Sequence, residues 1–380
     1  MQNFMFHQPT KLFFGTDLEG NLPELLREAG ATRVLIHFGG GSVYKNGIMQ
    51  KVTSVLDGVK IPYILFGGAV PNPRVSLCIE GAALMKKEKA DFILAVGGGS
   101  VIDSAKCMAA AVKNDKVWDF YMNHVEVLSA VPIGVVLTIP AAGSEMGCGT
   151  VITNEETGFK RATWGECLFP KFALSDPTYG YTLPDEQIAN GVSDILAHML
   201  ERYFTGEPDV DFTDKLLEGA IRSVIENGPR AIDEKENYGV RAQIQIAGTF
   251  AHNGVLDVGR IGDWASHDIE HELSGRYDIA HGAGLSIIFP AWMKYVSKEK
   301  HGIFLRFAKN IMQDQSINGA IKKLETVYKS MKLPIRLSDV GIGQEHLRDM
   351  AEKAMVGRTH LGNLKKLNAD DIYNILELAR

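Results

Sequence analysis

The chain has 380 residues, a net charge of -6 and a composition that is 45% hydrophobic and 23% charged. That is ordinary globular composition, which excludes a fibrous or disordered chain, and the acidic balance offers no basic face for nucleic acid. At about 100–200 residues per domain, two domains are expected.

The N-terminal part opens with two apolar stretches, Phe4 to Phe6 and Leu12 to Phe14, flanking Pro9, Thr10 and Lys11. They predict a small hairpin or an extended arm. From Arg33 to about Pro140, short β-rich runs end in small, mostly glycine, residues, with helical segments between them. Val34–Phe38 runs into Gly39, Tyr63–Phe66 into Gly67, Phe92–Val96 into Gly97, and Ile133–Thr138 into the Pro140 to Gly143 turn. Nearly continuous apolar strands imply burial on both faces, hence a doubly wound, Rossmann-like parallel sheet with helices on each side. Ligands of such a sheet sit beyond the carboxyl ends of its strands.

After Pro184 the period changes. Ile188, Val192, Ile195, Leu196, Met199 and Tyr203 recur at helical spacing. Further helices are predicted near 212–227, 238–251, 263–274, 284–297, 301–312, 316–331, 345–355 and 370–379. The expected division is therefore 1–183, an α/β dinucleotide-binding domain, and 184–380, an all-helical metal-binding domain. No run of about 18–20 apolar residues predicts a membrane span. The first nine residues lack the basic and apolar regions of a secretory signal. Cys78, Cys107, Cys148 and Cys167 form no CxxC pair, so a reduced, cytoplasmic protein is expected.

Two loops share the order strand, three glycines, serine: Gly39, Gly40, Gly41, Ser42 and Gly97, Gly98, Gly99, Ser100. Glycine lets a backbone approach a phosphate, and a following helix offers free N–H groups and the positive end of its dipole. Neither loop has the GxGxxG or P-loop spacing. Past the second loop, Asp103 and Lys106 fall in the first turns of a helix, where Lys106 would reach a phosphate or stand as a solvated charge. No acid follows Phe38 to bind a ribose 2′-hydroxyl; Ser42 and Lys45 stand there instead. Small residues plus a cation suit a 2′-phosphate, so NADPH is expected over NADH.

Five of the 11 histidines lie between 198 and 281. Asp194 and His198 are four apart, as are His267 and His271, so each pair projects from one helix face. His281 follows shortly after. A carboxylate with neutral imidazoles is a ligand set for Zn²⁺ or Fe²⁺, and without thiolates it suits an open catalytic site rather than a closed structural one. Spacing leaves open which of His267, His271 and His281 bind. The zincin pattern is absent, since Glu270 adjoins the second histidine of its pair, and no GxSxG elbow supports a hydrolase. Phe250, Trp264 and Trp292 border a pocket or fill the core; core is the preferred reading.

Taken together, Gly97 to Lys106, Thr138 to Met146, Leu174 to Pro177, Asp194 with His198, and His267, His271 and His281 to Gly284 resemble the iron-containing (group III) alcohol dehydrogenase family. The likeness is greatest to its NADPH-dependent butanol dehydrogenase and aldehyde reductase branch, and it runs over nearly the whole chain. The resemblance implies a dehydroquinate synthase-like fold and one divalent metal, iron or zinc, held by Asp194, His198, His267 and His281. His271 would stand beside the metal without ligating it and relay a proton. The pyrophosphate would meet Gly97, Gly98, Gly99 and Ser100, with Asp103 near the nicotinamide as a catalytic group. Thr138, Ser144 and Lys160 would line the cofactor cleft, and Gly39, Gly40, Gly41, Ser42 and Lys45 the adenosine end. Tyr44 departs from the branch, which often carries a lysine there. The implied reaction is hydride transfer between NADPH and a small aliphatic aldehyde such as butanal. A homodimer is expected on separate grounds, because two-fold dimers are the commonest homo-oligomers and the N-terminal apolar arm could pair across the axis. The alternatives are an NAD-dependent glycerol or polyol dehydrogenase, a dehydroquinate synthase-like lyase, and a non-catalytic nucleotide or metal sensor.

Overall fold

A computed structural model describes residues 1–380. The chain divides into two compact units, Gln8–Leu183 and Pro184–Arg380, the latter joined by Met1–His7.

The first unit contains, in order, β1 (Lys11–Phe14), α1 (Leu22–Glu28), β2 (Val34–Phe38), α2 (Ser42–Lys45), α3 (Ile48–Gly58), β3 (Tyr63–Phe66), α4 (Val75–Glu88), β4 (Phe92–Gly97), α5 (Gly99–Lys113), α6 (Val117–Asn123), β5 (Ile133–Leu137), β6 (Gly149–Asn154), β7 (Phe159–Trp164) and β8 (Phe172–Ser175). Six strands form one sheet in the order β1-β8-β5-β4-β2-β3, every pair parallel. Successive residues of a strand face opposite sides, and two cores result. Ile93, Ala95, Val135 and Leu137 pack with α4 and α5, while Phe92, Leu94, Val96 and Val136 pack with residues of α1 and α3. Fully burying each large side chain contributes about 1.5–3 kcal/mol, which is why β4 and β5 read as unbroken apolar runs.

Two expectations need correction. Phe4 to Phe6 makes no hairpin with Leu12 to Phe14: β1 instead pairs in parallel with β8, Phe13 opposite Leu174. Residues 1–7 also belong with the helical unit rather than with 8–183. The cause is local hydrogen bonding, from Gln2 N to the Gly259 carbonyl (2.9 Å) and from its side chain to Glu207. β6 and β7 form a separate antiparallel hairpin that the sequence reading passed over.

The sheet order contains a switch point. From β2 the chain moves outward to β3, then returns to place β4 on the other side of β2. Ligand crevices of open α/β sheets lie at such a reversal. The two strands flanking it, β2 and β4, are the ones that end in the triple-glycine loops.

The second unit contains α7 (Asp185–Tyr203), α8 (Asp211–Asp233), α9 (Tyr238–His252), α10 (Ala265–Tyr277), α11 (His281–Val296), α12 (His301–Asn310), α13 (Ile317–Ser330), α14 (Leu347–Ala354) and α15 (Ala369–Leu378), and no strand. Residues 191–203 of α7 are all buried, so it is the central helix of this unit. An aromatic core lies at its end, with Phe204 stacked on Phe304 at 4.4 Å and Trp292 at 5.4 Å. Trp292 is thus core, as preferred, whereas Phe250 is exposed. No helix is long and apolar enough to cross a membrane.

Candidate metal centre and cofactor loops

In the helical unit, Asp194, His198 and Glu201 lie on one face of α7, at positions i, i+4 and i+7. His267, Glu270 and His271 lie on α10, and His281 is the first residue of α11. Asp194 Oδ1 lies 3.7 Å from His198 Nε2, 4.0 Å from His267 Nε2 and 3.8 Å from His281 Nε2. These separations exceed hydrogen-bond length. Four donors about 2.1 Å from one ion would lie roughly 3.4 Å apart; the three Asp194 separations are a few tenths of an ångström longer, and Asp194, His267 and His281 form the tighter group, with His198 set further out. His267 Nε2 is buried with no hydrogen-bond partner, as a lone pair kept for a ligand must be. Burial, with the neighbouring His281, pushes His267 down to about 3. Burial and the adjoining His252 hold His198 well below its ordinary value. Neutral imidazoles have no proton to displace before binding a cation.

Two carboxylates to which the sequence reading gave no place in the site fix two of these rings. Glu201, fully buried, accepts from His267 Nδ1 at 2.9 Å. It also accepts from the Trp264 and His267 backbone N–H groups at 2.7 and 3.1 Å. Burial pushes Glu201 up to about 8, and burial beside Glu201 pushes Asp263 up to about 7. Glu270 accepts from His281 Nδ1 and from Ser274 Oγ. This is the partner that metal-binding histidines usually have on the ring nitrogen facing away from the metal. Gly284 makes room for it, since a Cβ there would lie 2.4 Å from Glu270 Oε1. Glu201 shares α7 with His198 but bonds His267, and Glu270 shares α10 with His267 but bonds His281, so helical spacing put them on the site's face without naming their partners. Trp264 is held at φ 66°, a costly conformation for a bulky residue. Its backbone bond to Glu201 helps to keep it there.

His271 is buried, its ring 5.5 Å from that of His281 and its Nδ1 4.0 Å from Asp268 Oδ1. Its donor atom groups with Glu270 and His281, whereas Asp194 groups with His267 and His281. The structure thus separates the two members of the pair His267 and His271, which spacing alone could not.

In the α/β unit, the second glycine loop leads directly into the 15-residue helix α5. A Cβ on Gly97 would lie 2.4 Å from Val101 Cγ2, and one on Gly98 would lie 2.9 Å from Ile139. No side chain fits between this loop and its neighbours, and the Thr138 N–H closes onto the Gly97 carbonyl at 3.0 Å. The first loop differs from the strand–loop–helix expectation, because only the four-residue turn α2 follows it. Ser42 and Lys45 are exposed there.

Asp103, Lys106 and Ser144 come together. Lys106 is neither a solvated charge nor a phosphate ligand. It is fully buried, and its ammonium donates to the carbonyls of Ser144, Gly147 and Gly149 and to Ser144 Oγ, all within 2.8–2.9 Å. Asp103 Oδ1 accepts from Ser144 Oγ at 2.6 Å and Oδ2 from Val151 N at 2.8 Å. Burial raises this carboxyl, and Lys106 opposes the rise. Through these two bonds Asp103 positions Ser144 and β6, with one acceptor site used on each oxygen. Lys160 is buried and donates to Asn72 Oδ1 at 2.9 Å.

A sheet with glycine loops at its switch point, and a helical unit presenting one carboxylate and three imidazoles, define a nucleotide-linked metalloenzyme. The family profile described as iron-containing alcohol dehydrogenase matches residues 9–177, and the profile for the C-terminal part of the same family matches 188–380. The chain belongs to the iron-containing alcohol dehydrogenase family and is an oxidoreductase of the NAD(P)H-dependent alcohol and aldehyde class. It is 37% identical to the NADPH-dependent aldehyde reductase YqhD of Escherichia coli, covering 100% of both chains. It is 36% identical to NADH-dependent butanol dehydrogenase A of Clostridium acetobutylicum, covering 99% of both. The crystal structure of NADH-dependent butanol dehydrogenase A from Thermotoga maritima superposes with a TM-score of 0.96 at 39% identity, covering 100% of this chain and 99% of that one.

Proposed function

We propose that the chain reduces small aliphatic aldehydes of the butanal type, and oxidises the corresponding alcohols, with NADPH preferred over NADH. Asp194, His198, His267 and His281 are the ligands of one divalent metal, iron or zinc. The observation that carries this reading is the convergence of three imidazole Nε2 atoms on one Asp194 oxygen at 3.7–4.0 Å. The names of the similar proteins, butanol dehydrogenase and aldehyde reductase, support the substrate class. Those names include both nucleotides; the preference for NADPH rests on Ser42, Lys45 and the lack of an acid after Phe38.

Lewis-acid polarisation of the substrate oxygen and a hydride equivalent are what a divalent cation and a reduced nicotinamide supply when bound. The protein's residues do the rest. Glu201 and Glu270 keep the His267 and His281 rings aimed at Asp194. Gly97, Gly98, Gly99 and Ser100 bring the backbone and the α5 N-terminus against the pyrophosphate. Thr138, Ser144 and Lys160 line the cofactor, Gly39, Gly40 and Gly41 take its adenosine end, and Lys106 and Asp103 stiffen the loop that carries Ser144. His271 holds the exchangeable proton on its ring, with Asp268 beside Nδ1. The enzyme works as a homodimer in the cytoplasm, which suits four free cysteines.

The test is oxidation of NADPH and of NADH with butanal, on chelated protein reloaded with Fe²⁺ or Zn²⁺. Metal-dependent turnover, faster with NADPH, is expected. Equal or faster turnover with NADH removes the assignment of Ser42 and Lys45. No turnover with either metal removes the substrate class.

A further inference from the structure

The three imidazoles around Asp194 are not held alike. His267 gives its second nitrogen to Glu201 and His281 gives its own to Glu270. His198 has no such carboxylate, and its Nδ1 is buried without a hydrogen-bond partner. Other rings cover it instead, with Trp264 edge-on at 5.9 Å. His267 stacks on it with centroids 4.9 Å apart at 8°, and His252 lies 4.7 Å away at 30°.

His252, in the last turn of α9, is itself fixed. Arg202 Nη2 lies 3.1 Å from His252 Nδ1. A guanidinium only donates, so Nδ1 accepts and a neutral His252 carries its proton on Nε2. Arg202 sits one helical turn beyond His198 and is 3% exposed. Its Nη1 donates to the His198 carbonyl at 2.9 Å, its Nε pairs with Asp257 at 2.8 Å, and its guanidinium lies 4.7 Å from the Trp264 ring centroid. It is therefore held at four points before anything binds.

We infer that His252, fixed by Arg202, is a positioning residue for His198. Its ring and that of His267 pack on the imidazole and keep Nε2 aimed at Asp194, the task carboxylates perform for His267 and His281. This rests on the metal reading of Asp194, His198, His267 and His281. Stacking confines a ring to a plane, whereas a hydrogen bond also fixes its rotation. His198 is then the most loosely held of the three imidazoles, and His252 governs how readily the ion leaves.

The experiment loads the full-length protein with Co²⁺ and follows its visible absorption as excess chelator removes it. His252→Leu keeps a helix-forming residue without a ring, and His252→Phe restores the ring without the nitrogen. The expected result is release about tenfold faster in His252→Leu and within about threefold of the native rate in His252→Phe. The unfolding midpoints of all metal-free proteins should agree. Unchanged release in His252→Leu overturns the proposal, as does equally fast release in both variants, or a fall in metal-free stability that accounts for the change. Asp194→Ala is the separate control. If native protein takes up no Co²⁺, or Asp194→Ala takes it up equally well, the metal reading itself fails and this proposal falls with it.

Discussion

His37 in the α/β unit and His267 in the helical unit are both buried imidazoles held neutral by desolvation, yet they are built for opposite ends. His37 Nδ1 meets the Phe66 carbonyl at 2.8 Å and its Nε2 meets Ser104 Oγ at 2.6 Å. His267 commits Nδ1 to Glu201 and leaves Nε2 without a hydrogen-bond partner. Burial and a lowered pKa are therefore poor signs of function by themselves. What distinguishes the second ring is a lone pair kept uncommitted and aimed where other donors point. The glycines divide in the same way. Gly97 is required by the Val101 side chain already pressed against it, whereas a Cβ on Gly40 would meet nothing within 4 Å.

The contrast breaks most severely at Asp194. Asp194→Ala should abolish stoichiometric metal by atomic emission and lower turnover by about a thousandfold or more, the equivalent of about 4 kcal/mol of transition-state stabilisation. A metal-loaded, active variant would falsify the site. His37 gives the next effect, on stability alone. Its pKa is pushed from 6.5 down to about 4 in the fold, so the native state binds fewer protons than the unfolded chain below pH 6.5. Its contribution is complete above that pH and is lost as pH falls through about 4, amounting to about 3 kcal/mol. Urea unfolding between pH 7 and pH 4 should show that loss in the native protein and a flatter profile in His37→Gln. The smallest effect is expected at Gly40. Gly40→Ala should leave the unfolding midpoint unchanged and weaken NADPH binding about tenfold by calorimetry, because only a bound ligand would meet the new methyl group. Unaltered binding would mean that this glycine makes room for nothing.

The parts legible in the sequence were those written in local periodicity. The runs Val34–Phe38 and Phe92–Val96, the change to a 3.6 period at Ile188, and the pair Asp194 and His198 all lie within one element. Long-range pairing was invisible. Nothing in Leu12 to Phe14 says that its partner is Ala173 to Ser175, about 160 residues away. The β6–β7 hairpin was available from alternating Thr150, Ile152 and Thr163 around the Asn154 to Gly158 turn, but adjacent glycine-rich sequence masked it. Lys106 was misread for a different reason. Its partners are mainly backbone carbonyls, which leave no trace in residue identity. His267 and His271 have equal spacing, and only the placement of Glu201, Glu270 and Gly284 by tertiary packing tells them apart.

The segment Met1–His7 has a consequence for the order of events during synthesis. Gln2 is translated before the whole α/β unit, yet its partners Glu207 and Gly259 emerge only after that unit is complete. Domains generally fold as they are made, from the N-terminal side. The opening residues must therefore wait, unpaired, while residues 8–183 collapse without them. They can dock only once α7 to α9 have left the ribosome, so a stretch made before the α/β unit finds its place after that unit is complete.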